Sequence, residues 1–235
     1  MTNLLSLLFL GFFLGMRHAT DSDHVIAVTT IVSKQRSIWG AALTGIFWGI
    51  GHSLTVLIVG GAIVLLGIVV PERIGLSLEL CVAMMLVFLG TLNLREMRHW
   101  LRSRSFGAAG DPHDSPSDAS LRLEERWGKS GLYQMIRPVI IGIVHGLAGS
   151  AAVALLVLPA IQTPMRAMAY LFLFGAGTIA GMMFITAAIA VPVTYAADRF
   201  RLFQRYVGAT AGLFSVGFGI FLFWHIGFAQ GLFTR

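Results

Sequence analysis

The chain has 235 residues, of which 56% are hydrophobic and 12% charged, and its mean hydropathy is +0.79. Because soluble domains carry about 25% charged residues, this composition excludes a soluble globular domain and predicts an integral membrane protein. The formal net charge of +6 reflects basic residues beside apolar segments rather than nucleic-acid binding, and the single cysteine, Cys81, excludes a disulfide framework or a cysteine-based zinc site.

Six apolar segments are long enough, at roughly 20 residues, to cross a hydrocarbon core as helices. The first basic residue, Arg17, follows the first apolar run, whereas a cleaved signal peptide has positive charge before its apolar core. We therefore expect the first segment to be a membrane span. The first, second and fifth segments are longer than a bilayer requires, which predicts tilted or broken helices. The predicted spans are residues 3–32, 40–69, 76–94, 138–159, 168–197 and 207–228.

Most of the 17 lysine and arginine residues lie on one side of these spans, and only Arg73, Arg166 and Arg235 lie on the other. Since basic residues mark the cytoplasmic side, we expect a multi-pass protein of the cytoplasmic (inner) membrane with both termini outside. The loop 95–137 is then cytoplasmic. Its middle, GAAGDPHDSPSDAS, is too polar to bury a core and is predicted to be disordered, so His113 is interpreted as a solvated linker residue.

The two halves of the chain resemble each other at an offset of about 127 residues. Because each half has three spans, the second half must insert upside down, as in many secondary transporters whose substrate sites lie between the repeats. The predicted fold is an all-α integral membrane protein of two inverted three-helix repeats, residues 1–94 and 138–235. The alternative is chance similarity between two glycine-rich apolar segments. The matched positions are Gly15 and His18 with Gly142 and His145, Gly49 and Gly51 with Gly175 and Gly177, and Gly90 with Gly219.

The densest group of ionisable side chains lies inside the first span, in MRHATDSDHV, residues 16–25. A charge at the bilayer centre costs at least about 2.5–3.5 kcal/mol, so these groups should face a cavity, pair with each other or bind a ligand. On a continuous helix, His18, Asp21 and His24 share one face. Arg17 is then spaced for an ion pair with Asp21, while Asp23 points elsewhere. If the helix is broken here, Asp23 joins the site.

Two further histidines, His52 and His145, lie within predicted spans. The alternative interpretation of each single histidine is a packing residue that forms a hydrogen bond. Imidazoles combined with carboxylates suit nickel, cobalt, zinc or copper(II), and the absence of nearby thiolates argues against copper(I) or iron–sulfur. His225, beside a tryptophan, is interpreted as an interfacial anchor. No catalytic or cofactor-binding residue is predicted. The predicted metal ligands are His18, Asp21, Asp23, His24, His52 and His145.

RHATDSDH, residues 17–24, resembles the signature of the nickel/cobalt transporter family, His-x-x-x-x-Asp-His within Arg-His-Ala-x-Asp-x-Asp-His. GIGHS resembles the family's second motif, and HGLAGSAAV resembles the second-half motif of its shorter, urease-accessory-type nickel permeases. The resemblance implies transport of Ni²⁺ or Co²⁺, with the first motif's histidines and aspartates selecting the metal. Two features depart from the family: typical members have eight spans, and Thr178 stands where the repeat would place a partner of His52.

These observations predict a permease, not an enzyme, that moves Ni²⁺ and also Co²⁺ as substrates and uses no cofactor. Uptake is the expected direction, and efflux for metal resistance is the alternative. The predicted partners are the ion and the lipid bilayer, with no nucleic acid. A membrane haem protein would not need two adjacent aspartates, and a metalloprotease would need His-Glu-x-x-His, whereas Glu79 has no histidine near it in the sequence.

Overall fold

The computed structural model describes residues 4–33, 35, 37–67, 70–105, 131–157, 163–199 and 203–234, and within them the regular structure is helical throughout. The middle of the predicted loop, including His113, lies outside the described residues. Two π-helical turns, Val56–Gly60 and His225–Ala229, continue α3 and α8. The α-helices are α1 Leu4–His18, α2 Ser22–Val32, α3 Ile38–Thr55, α4 Gly61–Leu66, α5 Glu72–Ser105, α6 Gly131–Val157, α7 Pro164–Arg199 and α8 Phe203–Trp224.

Four helical stretches within the described chain are long and apolar enough to cross a membrane, and three shorter apolar helices accompany them. This confirms the predicted all-α membrane class. α5 and α6 extend into the segment predicted as a loop. In α5, residues 95–105 include four arginines, which are good helix formers. The long stretches are Ile38–Leu66, Glu72–Arg98, Pro164–Ala196 and Tyr206–Ala229, and the shorter ones are Leu5–His18, Ser22–Val32 and Met135–Gly149.

The first predicted span is broken in its middle, which is one of the two outcomes predicted from its length, so the argument from one continuous helical face does not apply. α1 ends at His18, and α2 begins at Ser22 after Asp21, whose backbone is extended. The Thr20 hydroxyl donates to the Arg17 carbonyl at 2.6 Å, which illustrates how short polar side chains compete with helical hydrogen bonds. The break sets Asp23 in the first turn of α2, where the helix dipole favours a carboxylate.

Glycines bring α3 and α6 into backbone contact. A Cβ atom at Gly142 of α6 would overlap the Trp48 carbonyl of α3, and a Cβ atom at Gly51 of α3 would overlap the Val139 carbonyl of α6. Small residues of this kind let membrane helices approach closely without a hydrophobic driving force. The close approach sets α3, which carries His52, beside α6, which carries His145.

We expect Gly142→Ala to lower the apparent melting temperature of the purified protein in detergent, because the added methyl group must displace the α3 backbone. Overpacking of this kind costs about 1–3 kcal/mol. Gly217→Ala in α8 is the matched control, since a Cβ atom there meets no atom within 4 Å and alanine is the better helix former. Equal melting temperatures for the two variants would contradict the packing described for α3 and α6.

Candidate metal site

The four histidines predicted from the sequence converge in the interior of the helix bundle. Ring centroids lie 4.8 Å apart for His18 and His24, 5.1 Å for His18 and His52, and 4.6 Å for His24 and His145. His24, His52 and His145 are at most 2% exposed. The end of α1, the start of α2, α3 and α6 each supply one ring, so helices far apart in the sequence build this cluster.

Asp23 joins two of these histidines. Its Oδ1 lies 3.2 Å from His24 Nδ1, and its Oδ2 lies 3.1 Å from His145 Nε2. Because an ionised carboxylate only accepts hydrogen bonds, these two ring nitrogens carry the protons. Asp23 therefore points into the cluster, as expected for a broken helix and not for a continuous one.

Asp21 lies at the edge of the same cluster. Its side chain is 53% exposed, and its Oδ2 lies 2.8 Å from His18 Nδ1. Among the described residues, this contact replaces the ion pair with Arg17 that helical spacing predicted, because the chain turns between α1 and α2. The two aspartates of the motif thus differ in depth: Asp23 bridges two fully buried rings, while Asp21 contacts one partly exposed ring.

The remaining ring nitrogens of the cluster are buried and have no hydrogen-bond partner among the described residues. Leaving a buried polar group unpaired costs about 1–3 kcal/mol, so several in one place need an explanation. A neutral imidazole that donates through one nitrogen presents a lone pair on the other, and such lone pairs bind divalent transition metals. The unpaired nitrogens are His18 Nε2, His24 Nε2, both nitrogens of His52 and His145 Nδ1.

Two groups of side chains have the spacing of metal ligands, and they share His24. In each group, one ligand atom per residue lies within 4.8 Å of the others. Two nitrogen ligands at about 2.1 Å from one ion are at most about 4.2 Å apart, so small side-chain rotations would suffice to close either group. The groups are His18, His24 and His52, and Asp23, His24 and His145.

A cavity of about 320 Å³ lies against this cluster. Asp21 and Asp23 line it together with His24 and His145, whereas His52 is not among its lining residues. Glu79 of α5 also lines it, and sequence reasoning missed this residue. Glu79 is a carboxylate inside an apolar span, which could have indicated its role. It has no histidine near it in the sequence, but the fold brings His225 close enough to interact with its charge.

Comparison with known proteins agrees with this chemistry. The family described as a high-affinity nickel-transport protein, NicO, matches residues 4–200. The chain belongs to this family. It is also 36% identical to the urease accessory protein UreH of Bacillus sp. (strain TB-90) over 234 residues, which cover 98% of this chain and 96% of that protein. No solved structure matches the chain.

Membership of NicO confirms the predicted resemblance to nickel permeases. The protein is a non-enzymatic permease of a nickel-transport family, and in this family nickel is a transported substrate rather than a cofactor.

We expect Asp23→Asn to weaken binding of Ni²⁺ to the purified protein more than Asp21→Asn does. Asp23 holds two buried rings and Asp21 holds one partly exposed ring, and loss of a residue that orients metal ligands costs about 10–100-fold in affinity. Isothermal titration calorimetry in detergent measures both variants against the unmodified protein. Equal losses in the two variants would show that the difference in burial has no consequence for the ion.

Proposed function

We propose that the protein is a secondary transporter that carries Ni²⁺ across the cytoplasmic membrane into the cell, with Co²⁺ as a second substrate. The observation that carries this proposal is the set of buried, unpaired imidazole nitrogens around one carboxylate inside the spans. Nitrogen ligands of this kind bind both ions and bind Ni²⁺ more tightly than Co²⁺.

The ion binds to His18, His24 and His52, and the two aspartates act chiefly through the histidines. The Asp23–His24–His145 group is already joined by hydrogen bonds, which an ion at that position would have to replace. The all-imidazole group has free lone pairs instead. A carboxylate that accepts from one ring nitrogen and thereby orients the other toward the metal is a recurring arrangement in metal sites.

The six predicted spans form two inverted repeats, and reciprocal backbone contacts support this. Gly15 of α1 packs against the Phe174 carbonyl of α7, and the corresponding Gly142 packs against the Trp48 carbonyl of α3. An arrangement related by a two-fold axis produces such reciprocity at every equivalent pair. Two further pairs of contacts are reciprocal in the same way, at offsets of 126–129 residues. Gly177 packs against the Phe12 carbonyl, and Gly51 packs against the Val139 carbonyl. Gly90 packs against the Gly212 carbonyl, and Gly219 packs against the Ala83 carbonyl.

The two ends of the bundle differ in their access to the site. The cavity lies toward the start of α5 and the end of α8, and the predicted topology puts this end outside. At the opposite end, Asn93 of α5 donates to the carbonyls of Thr30 at 2.8 Å and Gly208 at 3.4 Å, which ties α5 to α2 and α8. This arrangement is that of a carrier open to the outside, and passage of the ion requires these bonds to break.

Replacing His18 or His24 with alanine should reduce accumulation of radioactive nickel in cells to background, because each change removes a ligand from the all-imidazole group. His113→Ala, in the predicted loop, is the matched control and should leave accumulation unchanged. Immunoblots of the membrane fraction establish that all variants are present in equal amount. Accumulation by the His24→Ala variant equal to that of the unmodified protein would refute the site.

Import is favoured over efflux because the similar protein from Bacillus is named a urease accessory protein, and urease is a nickel enzyme. An importer should sensitise expressing cells to nickel in the medium, whereas an exporter should protect them. Growth across a nickel concentration series, compared with cells expressing the His24→Ala variant, separates the two directions. Protection by the unmodified protein alone would reverse the proposed direction.

A further inference from the structure

Glu79 is a carboxylate without a hydrogen bond or ion pair among the described residues. It lies within the apolar stretch Glu72–Arg98, where an ionised side chain costs about 2.5–3.5 kcal/mol. The other two carboxylates of the cavity each contact histidines: Asp21 contacts His18, and Asp23 contacts His24 and His145. Glu79 interacts with His225 only through its charge, and it is therefore the cavity carboxylate that can compensate an incoming cation without giving up a hydrogen bond to a histidine.

We propose that Glu79 captures the hydrated divalent cation in the cavity before the ion reaches the histidine cluster. This inference rests on the proposed function. The cavity volume of about 320 Å³ accommodates an ion with its water shell, because six waters at about 30 Å³ each fill about 180 Å³. A hydrated ion held by a single carboxylate stays exchangeable, which suits a capture step.

The cavity that Glu79 lines also reaches two histidines of the proposed metal site. His24 and His145 line it and are 2% exposed, and His24 Nε2 and His145 Nδ1 have no partner among the described residues. Glu79 thus shares one cavity with buried lone-pair donors on other helices. An ion that loses its waters in this cavity has nitrogen ligands available beside it.

The test is the initial rate of nickel uptake as a function of Ni²⁺ concentration, in proteoliposomes containing the full chain. For Glu79→Gln we expect the half-saturating concentration to rise about tenfold, the low end of the range for electrostatic focusing, with the maximal rate unchanged. Glu79→Asp should restore most of the affinity. Glu72→Gln is the matched control, because it removes the same charge two turns earlier on α5 and does not line the cavity.

Ionic strength separates charge capture from a structural role. The distance over which salt screens exposed charges is about 8 Å at 0.15 M and about 3 Å at 1 M. The difference in half-saturating concentration between Glu79→Gln and the unmodified protein should therefore shrink as salt is raised. A packing defect would not respond in this way. Equal half-saturation for both proteins, or a lowered maximal rate with unchanged half-saturation, would overturn the capture role. Absence of uptake by the unmodified protein would instead overturn the proposed function.

Discussion

The two hydrogen bonds of Asp23 are the interaction on which the site depends. They join a ring at the start of α2 to a ring in the middle of α6, and they fix which nitrogen of each ring is left unpaired. They form because the chain breaks after His18 and restarts with Asp23 in the first helical turn. A straight first span would turn this carboxylate away from α6 and leave His145 without an acceptor.

Much of the site was predictable from the sequence, because the chemistry of its residues is local. The spacing of His18, Asp21, Asp23 and His24 within an apolar span indicated a metal-binding cluster. Helical periodicity alone placed Asp21 rather than Asp23 with the histidines, because it assumes an unbroken helix. The break was foreseeable as an option from the length of the span and the run of Thr, Asp and Ser, but periodicity does not decide it.

The membrane class was also predictable, since hydropathy directly reports the ability to cross a bilayer. Contacts between spans were not predictable from the sequence. Glu79 lies far from every histidine in the sequence, and only the packing of α5 against α2, α6 and α8 brings it to the cavity. Glycines such as Gly142 suggested a repeat through their spacing, but their role in close helix contact depends on which backbone faces them.

The unpaired imidazole nitrogens also affect the stability of the folded protein. Buried imidazole nitrogens without a protein partner lower the stability of the folded chain, and a bound ion would offset that loss, since a ligand that binds only the folded state stabilises that state. Substitutions that supply these nitrogens with hydrogen-bond donors would raise the stability of the folded protein and lower its affinity for the metal ion. Stability of the folded protein and affinity for the ion are therefore opposed at the same few atoms.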